Sequence, residues 1–119
     1  MGSVSKSFDS PEETRNMNKG KVEVLNLAGT QVMRATFEPG WKWSECVKPV
    51  AGTNSCQVGH LIYTVSGKMI VRMDDGSEIE VKAGDVTSIP PGHDAWIVGD
   101  DNYVGVDFQG AGTYAKAAS

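Results

Sequence analysis

Four side chains in this sequence can bind a soft metal ion or build a nucleophile: Cys46, Cys56, His60 and His93, the chain's only cysteines and histidines. Thiolate sulfur and imidazole nitrogen are ligands that suit zinc and other borderline-soft divalent ions. Cys56 and His60 are four residues apart, and in an extended strand that spacing puts both on one face. His93 follows directly on the rigid turn Pro90-Pro91-Gly92. The same residues could act differently, because an imidazole beside a thiol lowers its pKa and makes a Cys–His nucleophile. Blander roles also fit. His60 suits a buried, hydrogen-bonded polar residue, His93 a surface residue after a turn, and the cysteines small core hydrophobes. Trp96 is the aromatic nearest to His93 and the candidate wall of a pocket that His60, His93 and Cys56 would line.

The elements that must carry these residues are strands. Val22, Val24, Leu25 and Leu27 form a first strand closed by Ala28-Gly29, and Val32 to Phe37 form a second, stopped by Pro39-Gly40. Trp41 to Cys46 reads as a third strand, and residues 47–55 as a loop in which Pro, Gly, Asn and Ser cluster. Cys56 to Val65 is a strongly apolar strand. Residues 68–73 and 77–81 flank Asp74-Asp75-Gly76, a hairpin signal because Asp-Gly tolerates the positive φ of such turns. Val86 to Ile89, Ala95 to Val98 and Tyr103 to Phe108 complete the pattern. No helical period runs for ten residues. Nine or ten short, evenly spaced strands predict an all-β sandwich or barrel. Residues 1–19 are polar and read as a flexible N-terminal arm, residues 20–110 as the barrel and residues 111–119 as a short C-terminal tail.

Composition narrows the function classes. The chain has 119 residues, 39% hydrophobic and 22% charged, enough for one modest core. A net charge of -4 and the lack of a basic, aromatic-laced cluster argue against nucleic acid. No apolar run approaches the ~20 residues of a membrane span. The polar start has no apolar signal core, and Lys6 stands where a myristoylation signal wants Ser or Thr. A cytoplasmic location is expected, with both cysteines as thiols. Dinucleotide and phosphate loops, a C-x-x-C pair and a G-x-S-x-G elbow are all missing from the sequence.

Over residues 30–108 the chain resembles the cupins, small barrels of the double-stranded β-helix or jelly-roll type. Gly84, Pro90 and Gly92 match the glycines and proline of the family's second motif, and His60 and Gly67 the spacing of its first. The resemblance implies a jelly-roll fold and a pocket in the barrel. Metal-binding cupins supply two histidines, a glutamate and a last histidine. Here His60 occupies the glutamate place, Ala95 the last histidine place, and Asn54 with Cys56, or Cys46 in another register, the first pair. The family's own ligand set is therefore incomplete, and a set from Cys46, Cys56, His60 and His93 is the alternative.

Three functions remain open on the sequence. One is a cupin that binds a small molecule in a pocket lined by His60, His93, Cys56 and Trp96. A second is a metal-dependent dioxygenase, isomerase or lyase with a divalent transition metal such as zinc in a Cys/His centre. The third is an association module. Leu61, Tyr63 and Val65 alternate with His60, Ile62 and Thr64, so that strand is apolar on both faces and predicts a homodimer.

Overall fold

Alternating burial generates the sheets. In β2 (Gly20–Leu27) and β3 (Thr30–Phe37) the inward Val22, Val24, Met33, Ala35 and Phe37 are buried, and Ala28 and Gly29 turn the chain between them at positive φ. The computed structural model describes residues 2–116; Met1 and residues 117–119, the outer ends of the expected arm and tail, lie outside the described residues. The other strands are β1 (Glu13–Met17), β4 (His60–Ser66), β5 (Lys68–Met73), β6 (Glu78–Lys82), β7 (Val86–Ile89), β8 (His93–Val98) and β9 (Tyr103–Asp107). They form a six-stranded sheet in the order β1-β2-β3-β9-β4-β7 and a three-stranded sheet in the order β6-β5-β8. Every pairing is antiparallel. The two sheets face each other across one apolar core, as the strand spacing predicts for a sandwich or barrel and as the resemblance implies for a jelly-roll. Among the described residues no helix is long and apolar enough to cross a membrane.

Three boundaries differ from the sequence expectations. The arm contributes a strand: Lys19 takes a left-handed φ of 61°, and β1 folds back to pair with β2 from Glu13↔Val24 to Met17↔Gly20. Residues ahead of it lie on the same sheet, where Phe8 sits under the Arg34 guanidinium and Glu12 N–H donates to the Val24 carbonyl.

The expected third strand is instead a pair of short helices, α1 (Trp43–Cys46) and α2 (Lys48–Ala51). Trp43, Cys46 and Val47 are buried at i, i+3 and i+4, a helical spacing that the alternation of Trp41 and Trp43 conceals. Asp94 of β8 accepts the Ser44 N–H at 3.0 Å, so the first turn of α1 is capped from fifty residues away. Gly52 closes α2 at φ 75°.

The chain from Cys56 to Gly59 is not a strand. Cys56 forms an isolated bridge with His93, and β4 begins only at His60. At the other end the tail reaches the core: Ala111, beside the 3-10 turn Gly110–Gly112, and Tyr114 are both buried.

Candidate metal centre

Three elements deliver the site. His60 is the first residue of β4 and points inward, as its alternation with the exposed Leu61 requires. His93 is the first residue of β8 and is also inward, with Gly92 before it at φ 95°. Cys56 is clamped against that strand start: its N–H donates to the His93 carbonyl and its carbonyl accepts the Gly92 N–H, each at 2.7 Å. Cys56, His60 and His93 are thereby all buried, and one ligand atom from each lies within 4.8 Å of the others. The two imidazoles meet edge to face with centroids 5.3 Å apart.

The hydrogen bonds behind the rings decide which nitrogen is available. His93 Nδ1–H donates to the Pro90 carbonyl at 2.9 Å, which leaves the Nε2 lone pair toward the interior. His60 Nδ1–H donates to the Asp107 carboxylate, and its Nε2 stands 3.8 Å from Cys56 Sγ. Ligands at zinc's usual bond lengths and a tetrahedral angle stand about 3.6 Å apart, so this pair is already near coordination distance. A carboxylate or carbonyl behind each histidine is the arrangement that holds metal-ligating imidazoles in place. The donor set therefore fits a borderline-soft divalent ion.

Asp107 was not identifiable as a chemical residue from its neighbours, yet it organises the site. Its Oδ1 accepts the backbone N–H groups of Leu61, Gln109 and Gly110 at 3.2, 2.9 and 3.0 Å. Burial opposes its charge, but the His60 bond and charge and the Gln109 and Gly110 N–H donors prevail and hold the carboxyl below its ordinary pKa. The available signal was an acid at an inward place in β9, on the face of Tyr103 and Gly105.

Burial dominates the remaining titrations. It pushes the Cys56 thiol up to about 11, with Asp107 and Asp94 adding to the rise, and so keeps it a thiol without a metal. It pulls His93 down to about 4, helped by His60, and so keeps the imidazole neutral. The Cys56 thiolate needs a cation beside it to be stable, whereas the neutral His93 is already in the form that ligates a metal.

Two expected residues are placed elsewhere. Trp96 falls on the other face of β8 from His93 and Ala95, with the Lys42 ammonium 5.3 Å over its ring; strand alternation turns it out of the pocket. Cys46 is buried on α1 but is not part of the Cys56/His60/His93 group. Tyr114 takes the wall position instead, its ring edge to face with His60 at 5.2 Å. The histidines line an inner cavity of about 30 Å³, room for an ion and one or two waters. Cys56 lines a separate outer pocket of about 180 Å³, and Trp43 and Tyr114 line both.

Two packed antiparallel sheets around an inward cluster of ligands define a cupin. Residues 41–101 match the EutQ-like cupin domain, and the chain belongs to that family. Similar solved structures share the fold. A cupin-like protein from Thermotoga maritima is 25% identical, with a TM-score of 0.51 over 76% of this chain and 68% of that one. A protein of unknown function from Acinetobacter is 14% identical, with a TM-score of 0.55 over 76% of this chain and 81% of that one. Oxalate decarboxylase from Lactobacillus farciminis is 18% identical, with a TM-score of 0.60 over 86% of this chain but 32% of that one. No curated protein matches the chain.

Proposed function

We propose that this protein is a small-molecule-binding cupin built around one divalent transition metal held by Cys56, His60 and His93. The carrying observation is that Asp107 and Pro90 occupy both Nδ1 atoms, so that two Nε2 atoms and one sulfur converge. Three protein ligands leave a position for water or substrate, the coordination habit of catalytic rather than structural zinc. A metal bound there would act as a Lewis acid on that fourth ligand. The chain's own part is to set both tautomers, to exclude bulk water from the apolar cavity and to hold Asp107 ionised behind His60. The reading predicts about one ion per chain in protein purified without chelator or affinity metal. It also predicts a sulfur-to-cobalt charge-transfer band on Co²⁺ substitution that vanishes in Cys56→Ser. Protein that neither carries metal nor takes up Co²⁺ would overturn it.

A second reading rests on the series Cys56, His60 and Asp107, which has the order of a nucleophile, a base and its orienting acid. The raised thiol pKa counts against it. Rapid alkylation of Cys56 at neutral pH in metal-free protein would favour it over the metal centre.

Association is a further part of the proposal. Leu61, Tyr63, Val65, Val86 and Phe108 are 40–69% exposed, and Tyr63 pairs with Val86 across β4 and β7. This apolar outer face supports a homodimer. Two buried free thiols agree with a reducing, cytoplasmic setting.

A further inference from the structure

The inner cavity is too small for an organic substrate, so one that reaches the centre needs another chamber. We propose that the outer pocket is that chamber, that it takes a compact, mainly apolar monoanion such as a short carboxylate, and that Tyr114, latched by Arg15, is the gate between it and the histidines. The inference rests on the metal-centre reading for its purpose and on four observations for its geometry.

The first is continuity. Cys56 opens onto the outer pocket, while Trp43 and Tyr114 line both spaces and form the wall between them. The second is size. About 180 Å³ is slightly more than the ~150 Å³ of an engineered cavity that holds benzene, so a ring or a four- to six-carbon body fills it. The third is charge. Val47, Ala51, Val58 and Ala115 make the lining largely apolar, and among the described residues that line it Lys116 is the one with a charge. Glu13 nearby is engaged by both ends of the Arg15 guanidinium, at 2.9 Å each, and also feels the Lys116 charge, so an anion in the pocket would share Lys116 with it.

The fourth observation is the latch. Arg15, 8% exposed, donates from Nη1 to the Tyr114 carbonyl at 2.8 Å, tying β1 to a segment 99 residues away. That segment follows the turn Gly110–Gly112, in which Gly112 has open space around its α-carbon. The segment's other backbone bonds, Tyr114 N–H to the Gly110 carbonyl at 3.2 Å and Lys116 N–H to the Thr113 carbonyl at 3.1 Å, are local. A buried side chain tied to the rest of the fold by this charged hydrogen bond is suited to local opening.

The test uses the full chain, stripped of metal so that its outcome does not depend on whether zinc binds. Alkylation of Cys56 by iodoacetamide is followed by peptide mass spectrometry, with benzoate as the ligand probe and benzylamine as its charge-reversed control. Benzoate should slow the alkylation and benzylamine should not. Lys116→Gln should weaken the benzoate protection about two- to five-fold, the range of an exposed ion pair. Ala51→Trp, which fills the chamber, should slow alkylation and abolish the protection. Arg15→Gln should speed diethyl pyrocarbonate modification of His93, which lies behind the gate, at least about ten-fold, as the loss of a charged hydrogen bond allows, with amide exchange in β5 and β8 unchanged. Equal protection by benzylamine, or an Ala51→Trp protein alkylated at the wild-type rate, would overturn the chamber. An Arg15→Gln protein with unchanged His93 modification, or with β5 and β8 exchanging faster in step, would overturn the gate. Failure of the metal reading would show separately, in metal content.

Discussion

Asp107 gives the centre its direction without belonging to the ligand set. Replacing it by Asn keeps the volume but removes the charge that fixes the His60 tautomer. Asp107→Asn should weaken zinc binding about 10- to 100-fold, the usual cost of losing a supporting carboxylate. Competition against a chromophoric chelator checks this, and a fold unchanged by circular dichroism separates it from unfolding. His93 governs the acid limb. Its pKa lies at about 4 in the folded state because of burial, below the ordinary 6.5. The unfolded chain then binds the extra proton first, so stability is complete above about pH 6.5 and falls as the pH drops toward 4. Metal-free His93→Gln should lose that part of the slope in denaturant melts at pH 7, 5.5 and 4.5.

At the level of elements, the turn after β9 is fitted against the histidine–carboxylate pair. A Cβ at Gly110 would stand 2.5 Å from Asp107 Oδ2 and 2.6 Å from His60 Nδ1. Gly110 is therefore a packing requirement, since its φ is not in the left-handed region. Gly110→Ala should cost about 1–3 kcal/mol through overpacking and should also weaken metal binding. Chemical denaturation and zinc competition on the same variant test both. A stability change with intact zinc affinity would mean that the turn can move without carrying His60 along. The helix α1 poses a similar dependence on distance, because its capping acceptor, Asp94, comes from β8.

For the whole molecule, the N-terminal residues cover one end of the six-stranded sheet and leave the other end open. Phe8 and Glu12 lie on β2 and β3, whereas the outer faces of β4 and β7 remain exposed. The open apolar surface is that of Leu61, Tyr63 and Val65, the strand face from which the sequence predicts a homodimer, extended by Val86. Light scattering at micromolar concentration should give the mass of two chains, and Tyr63→Arg should give one. A wild-type monomer would defeat the homodimer.

What the sequence by itself determined is the class of fold and three of the chemical groups. Turn glycines, prolines and two-residue alternation are local matters of backbone geometry, so they reveal the strands, the inward place of His60 and the position of His93 after its turn. Local pattern failed where a distant partner decides the outcome. The stretch from Trp41 to Cys46 looks extended until Asp94 caps it into a helix. Trp96 looked like a pocket residue until the start of β8 set its parity. Tyr114 and Arg15 have no neighbouring signal at all, because their bond spans 99 residues. Asp107 became part of the site only when β4 and β9 paired in the register that sets Ile62 opposite it and brings His60 within reach. Inward or outward is written in each strand, but which inward residues meet is set by register between strands, and that is a property of the folded chain alone.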